Sequence, residues 1–132
     1  MISLRFKYLE FPRHGFMKKD MELVRLILAD YEENSTGSPY FIDPRKFPYE
    51  PAVVDMHCDL LIKHGFAEGQ RTSNGWYFKS VTWEGYDFLD NSRESVVWNA
   101  AKKAAGGFSI DVFKKVLIEI ATRYAMSLIQ GF

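Results

Sequence analysis

The chain has 132 residues, 47% of them hydrophobic and 16% aromatic, enough for one buried core and too apolar for a disordered chain. Lys plus Arg number 17 and Asp plus Glu number 17, so there is no global positive field, which counts against a strong nonspecific DNA binder and leaves only local patches for such contact. Cys58 is the single cysteine and forms no internal disulfide, and no apolar run approaches the roughly 20 residues that span a bilayer. A cytoplasmic protein with no membrane partner and no cofactor is expected.

Residues 1–16 carry cations but no apolar stretch of about 7 to 15 residues followed by small ones, so no secretory signal is read there. Helical periodicity begins at Met17, which makes 1–16 an N-terminal extension or a non-native start. Arg13, His14 and Gly15 in it match the RHG of histidine phosphatases. That chemistry needs a larger α/β domain with further histidines, and only His57 and His64 remain.

From Met17 to about Glu33 the residues Met21, Val24, Ile27, Leu28 and Tyr31 recur at three- and four-residue steps, the period of an amphipathic helix. Asn34 to Pro39 is a turn cluster, and Tyr40 to Ile42 suits a short strand. Pro44, Pro48 and Pro51 exclude a long helix before residue 50, but Pro51 fits the first turn of one running from about Glu50 to His64 and stopped by Gly65. Val53, Met56, His57, Leu60, Leu61 and His64 are assigned to its core face. Glu50, Asp55, Cys58, Asp59, Ile62 and Lys63 then point outward, three carboxylates against one lysine.

Phe66 to Ser73 and Trp76 to Val81 flank Asn74 and Gly75, the pair suited to the positive φ angles of a type I′ turn, so a β-hairpin is predicted. Thr82 sits where an N-cap belongs for a short helix ending near Asp90, with Trp83, Tyr86 and Leu89 available to the core. Ser95 to Ala105 forms a helix stopped by Gly106 and Gly107. Ser109 caps the last one, from Ile110 to about Ile129, roughly 30 Å long at 1.5 Å per residue, with Phe108 and Phe113 as a hydrophobic staple. Phe113, Val116, Leu117, Ile120, Tyr124 and Leu128 make one stripe; Ile110, Ile118, Ala125 and Ile129 lie beyond it. So wide an apolar surface implies contact on two sides, one with the domain and the other with a second subunit or a further part of the same chain.

Several stretches then carry a resemblance. LLIKHGFAEG, the wing-like GQRTSNGWYFKSV and the threonine-capped TWEGYDFLD resemble the second half of a winged helix-turn-helix domain. MKKDMELVRLIL, the helix around His57, VTWEGYDFLD and Trp98 are together similar to a small family of bacterial and phage proteins known as domain of unknown function 2513. The resemblance implies the fold and a prokaryotic or phage setting, and it transfers no catalytic or binding residues. One departure stands out: between the first helix and Glu50 the regulators place a second, positioning helix, whereas NSTGSPYFIDPRKFP is rich in prolines and turn formers.

The expected fold is mostly α with a small β-hairpin: a winged-helix-like domain over 17–91, plus C-terminal helices over 92–132 that pack on it or dimerise. Arg45, Lys46, Arg71 and Lys79 flank the helix that would approach a DNA groove and are the candidate phosphate contacts of a DNA-associated regulator; taken singly they also fit ordinary solvated charges. Trp76, Tyr77 and Phe78 fit core or interface packing better than base stacking. The alternative function is a non-catalytic protein-interaction module that uses the acidic residues Glu50, Asp55 and Asp59 or the apolar Ile110, Ile118 and Ile129. No enzyme is expected. His57 and His64 stand roughly 10 Å apart along the helix axis, too far to share a metal ion, and His57 reads as a core-edge histidine with one hydrogen-bond partner. Cys58 has no motif supplying a base and reads as a helix-surface thiol.

Overall fold

The computed structural model describes residues 18–36 and 39–131, so the RHG motif and the rest of 1–16 lie outside the described residues. Helix α1, Met21–Asn34, begins after Asp20, whose carboxylate accepts from the Glu22 N–H as an N-cap does. Met21, Val24, Ile27, Leu28 and Tyr31 are buried along it, as the period requires, together with Leu23. Strand β1, Tyr40–Phe41, follows, and then a single 3-10 turn, Pro44–Lys46, capped by Asp43. The prolines on either side leave no longer run of unbroken backbone donors, so this stretch forms one turn and no longer helix.

Helix α2, Pro51–Lys63, ends at Gly65: the Gly65 N–H reaches the Ile62 carbonyl at 3.1 Å and the Phe66 N–H reaches that of Leu61 at 2.8 Å, the paired bonds of a Schellman stop. Strands β2, Ala67–Thr72, and β3, Gly75–Val81, run antiparallel, and β1 joins the free side of β3 to give the order β1-β3-β2. The turn differs from the type I′ expectation. Thr72 pairs with Gly75, so Ser73 and Asn74 form the loop, and of these three turn residues only Gly75 has a positive φ, 114°. Asn74 keeps ordinary backbone angles because the Thr72 hydroxyl accepts its N–H and donates to the Gly75 carbonyl, pinning the turn locally.

The buried face of α2 also differs. Val54, His57, Cys58 and Leu61 are inward at i, i+3, i+4 and i+7, while Val53, Met56, Leu60 and the C-cap His64 are half-buried. Two apolar arcs overlap on this helix, and packing against α1 and the start of β2 takes the one centred on Val54 and Cys58. Cys58 is therefore fully buried, not a surface thiol, and burial pushes its thiol pKa up, away from nucleophilic use.

Helix α3, Trp83–Asn91, is capped by Thr82, whose hydroxyl accepts from the Gly85 N–H. Its core residues are Gly85, Phe88 and Leu89, and Trp83 is 85% exposed instead of reaching the core. Gly85 decides this: a Cβ there would stand 2.2 Å from the Phe66 carbonyl oxygen, so the helix makes its closest approach through Gly85 and turns Trp83 to the opposite side.

Helices α4, Ser95–Ala105, and α5, Ile110–Gln130, complete the core. Phe88, Trp98 and Phe113 form a ring cluster with centroids 5.5–6.1 Å apart, and Phe66 joins it 5.0 Å from Phe88. Ser109 caps α5 by accepting from the Val112 N–H, as expected, but Phe108 lies exposed and so does not staple the helix to the buried Phe113. Ile110, assigned to an outer surface, is in the core. Full burial stops after Leu117, while Ile120, Ala121 and Tyr124 stay partly buried against the core. The 21 residues of α5 outrun the 11 of α4, and from Ala125 on its residues are exposed, so Leu128, placed on the core stripe by period alone, is 52% exposed. Among the described residues no helix is long and apolar enough to cross a membrane.

Candidate interaction surfaces

The first surface is formed by α2, the β2-β3 hairpin and the 3-10 turn. Of its four candidate phosphate contacts, three already hold a carboxylate. Arg45 donates to Asp43 at 3.0 and 3.1 Å; these bonds lower the Asp43 pKa and raise that of Arg45. Lys46 donates to the Tyr40 hydroxyl at 2.8 Å and to Asp30 at 3.2 Å, while Tyr40 itself donates to Asp30 at 2.9 Å, and the two partners push the lysine pKa up. Arg71 reaches from β2 to Asp55 on α2, with its guanidinium 5.9 Å from the Trp76 ring centre. Among the described residues Lys79 is exposed and makes no ion pair.

The acidic ridge expected on α2 is accordingly neutralised over most of its length. Asp55 belongs to Arg71, and Asp59 receives Lys63 one turn on at 2.9 Å. Glu50 is exposed at the N-cap position and makes no side-chain cap bond. Sequence spacing alone could not pair Asp55 with Arg71, since their meeting depends on how the hairpin folds back over the helix.

Beneath this surface lies a polar node that the sequence reading missed. His57 is fully buried and uses both ring nitrogens: Nε2 accepts the Asp20 N–H at 2.8 Å, and Nδ1–H donates to the Val53 carbonyl at 2.8 Å. Asp20 in turn accepts the Tyr49 hydroxyl at 2.9 Å. The ring is thus a fully satisfied neutral tie between the start of α1 and α2, not a core-edge group with one partner. Burial lowers its pKa, partly offset by the Val53 carbonyl and the Asp20 charge. Glu22 does the same service for α4: it accepts from Arg25 at 2.5 Å, Trp98 Nε1 at 2.7 Å and Lys102 at 3.3 Å. Burial raises its pKa, but the three donors outweigh that and the net shift is downward. No group of three His, Cys, Asp or Glu is placed to hold a metal ion among the described residues.

The second surface runs along α5 from Ile118 to its end. Ile118, Met126, Leu128 and Ile129 are 52%, 49%, 52% and 62% exposed, so Ile118 and Ile129 stand where the sequence placed them and Ile110 does not. Between Ile118 and Gln130 the charges are Glu119 and Arg123, which pair with each other at 2.8 Å. A cleft of about 170 Å³ opens between α3 and α5 at the base of this stretch, lined by Phe66, Asp87, Asn91 and Ile118, with the Glu84–Lys114 ion pair at 2.6 Å beside it.

A mostly helical domain carrying a small antiparallel sheet is thus what the chain builds. A family model described as "Hypothetical protein (DUF2513)" matches residues 18–111, and the chain belongs to that family. It is similar to an "Uncharacterized protein" of Haemophilus influenzae, 26% identical over 109 residues that cover 80% of this chain and 92% of the relative. No solved structure matches it. The family match ends in the first turn of α5, so the exposed end of that helix lies beyond it.

Proposed function

We propose that this chain is a non-catalytic protein-interaction module built on a winged-helix-like scaffold, and that it docks through the apolar end of α5. The observation that carries the reading is the exposure of Met126, Leu128 and Ile129 at the end of α5, and of Ile118 earlier on the same helix beside the cleft with α3. Isolated helix of this length is marginal in water, so such an end gains most of its stability from whatever packs on it. The scaffold reading rests on the order helix, strand, turn, helix, hairpin with sheet order β1-β3-β2. The setting proposed is the bacterial or phage cytoplasm, without a cofactor. A photo-crosslinking residue in place of Ile129, introduced in living bacterial cells, should give a discrete protein adduct. If neither that position nor Ile118 yields one, the docking role is refuted.

The second reading, a DNA-associated regulator, is favoured by that same strand order and by Lys79 standing unpaired at the hairpin. Its phosphate contacts would include Arg45, Lys46 and Arg71, each of which must leave or share a carboxylate. Exposed ion pairs are worth about 0–1 kcal/mol, so this is affordable, but the surface as a whole releases few counterions. Duplex binding that weakens steeply with salt, and is lost when Arg71 and Lys79 become alanine, would establish this reading. Affinity unchanged by both replacements would end it.

A further inference from the structure

Building on the docking role proposed for α5, we infer that the occupant of its exposed end is a second copy of this chain, whose own α5 lies antiparallel along Ile118, Thr122, Ala125 and Ile129. Three observations converge on a self-complementary fit. The four residues follow 4-3-4 spacing, the seam period of packed helices, and they run large, small, small, large. About a two-fold axis between Arg123 and Tyr124, Ile118 therefore meets the partner's Ile129 and Thr122 meets the partner's Ala125, so bulk falls at both ends and the two backbones approach closely at the middle. A parallel arrangement would set the two domains side by side at one end of the helix pair; the antiparallel one separates them.

Charge points the same way. Glu119 and Arg123 are already paired along their own helix, which leaves an acidic or basic partner nothing to match, while a copy of the same neutral segment brings no like charge into contact. The cleft supplies the third observation. Ile118 lines it, so the partner's Ile129, set against Ile118, lies at the mouth of a space of about 170 Å³, the scale of one aliphatic side chain. With Met126 and Leu128 flanking the seam, the exposed apolar side chains contribute on the order of 400 Å² per copy, so two copies with Thr122 and Ala125 included bury at most roughly 1,000 Å², the lower bound for a specific interface. Association in the micromolar range follows, not an obligate dimer.

Sedimentation of the full chain tests this. Between nanomolar and high micromolar concentration the mass should rise from one chain to two, and Ile118→Glu or Ile129→Glu should raise the dissociation constant about 100-fold, with far-UV circular dichroism reporting that the fold is kept. In an oxidised equimolar mixture of Ile118→Cys and Ile129→Cys chains, the mixed disulfide should dominate; the native thiol at Cys58 is buried and does not compete. A monomer at every concentration overturns the inference, and so do 118–118 disulfides in place of mixed ones. If the wild-type chain stays monomeric while Ile129 still crosslinks to a different protein in cells, self-pairing falls and the docking role stands. No adduct at all removes both.

Discussion

The two surfaces of this protein differ in what they leave unfinished. On the α2 and hairpin side, Arg45, Lys46, Arg71 and Lys63 have each found a carboxylate within the chain, and the histidine below them is satisfied at both nitrogens. At the end of α5 the polar groups are equally content, since Glu119 and Arg123 pair, but the apolar ones are not covered. A surface whose charges are matched internally has little electrostatic reason to recruit a polyanion, whereas uncovered aliphatic area is a standing drive for association. The lesson is that a face flanked by cations in the sequence need not be the face that the folded chain leaves available.

The contrast is sharpest within α5 itself. Phe113→Ala should destabilise the chain by about 3–5 kcal/mol, because it empties the centre of the ring cluster with Phe88 and Trp98. Ile129→Ala, measured by urea unfolding at a concentration where the chain is monomeric, should change stability by less than about 0.5 kcal/mol. Similar losses for the two would mean that the helix end is covered within the molecule.

Next in size is the polar node under α2. His57→Gln keeps an acceptor for Asp20 but loses the ring, and a cost of about 1–3 kcal/mol is expected. Its signature is pH. The folded pKa of His57 lies below the ordinary 6.5, so between the two values the unfolded chain binds more protons; stability is complete above about pH 6.5 and declines as pH falls, by at most about 1.4 kcal/mol per pH unit. Unfolding titrations should show that slope in the wild type and lack it in His57→Gln.

Glu22 gives a smaller effect in a different window. Glu22→Gln weakens the hydrogen bonds to Trp98 and Lys102, and a loss of about 1–2 kcal/mol is expected. The folded pKa of Glu22 is depressed, so its contribution is whole above the unfolded value of 4.5 and vanishes as pH falls through the folded one. The His57 and Glu22 variants should therefore flatten separate parts of one acid-unfolding curve. Smallest among the polar contacts is the surface pair: a double-mutant cycle on Asp55→Ala and Arg71→Ala should return a coupling of at most about 1 kcal/mol, given that Arg71 is 62% exposed. A coupling several times larger would mark the hairpin as rigidly locked to α2 and close the route to DNA.

Much of the fold was legible because it rests on local signals. Asp20 excepted, the caps Thr82 and Ser109, the stop at Gly65 and the bounds of α4 follow from residue type and position, and the three- and four-residue period of α1 carried straight into its buried face. What escaped depends on neighbours that no window of sequence contains. On α2 two apolar arcs compete and only packing against α1 and β2 selects the one with Cys58. Trp83 looks like a core residue until Gly85 is seen against the Phe66 carbonyl. The candidate site fared unevenly for the same reason: Arg45 has its acid two residues away in sequence, but the pairing of Arg71 with Asp55 and of Lys46 with Asp30 spans 16 residues in each case and appears only once the chain has folded. Ile110 lies in the core at the start of α5, while Ile129 lies beyond Tyr124, the last residue of that helix packed against the core.

Amide hydrogen exchange, resolved along α5 in dilute monomeric chain and again at high micromolar concentration, probes the difference between the two surfaces most directly. Amides from about Ala125 to Gln130 should exchange orders of magnitude faster than those around Phe113 to Leu117 when dilute, and slow markedly when concentrated, while α2 and the hairpin stay unchanged. Protection of the helix end equal to that around Phe113 in the dilute monomer would contradict the picture, since a segment already stable alone has no need of a covering partner.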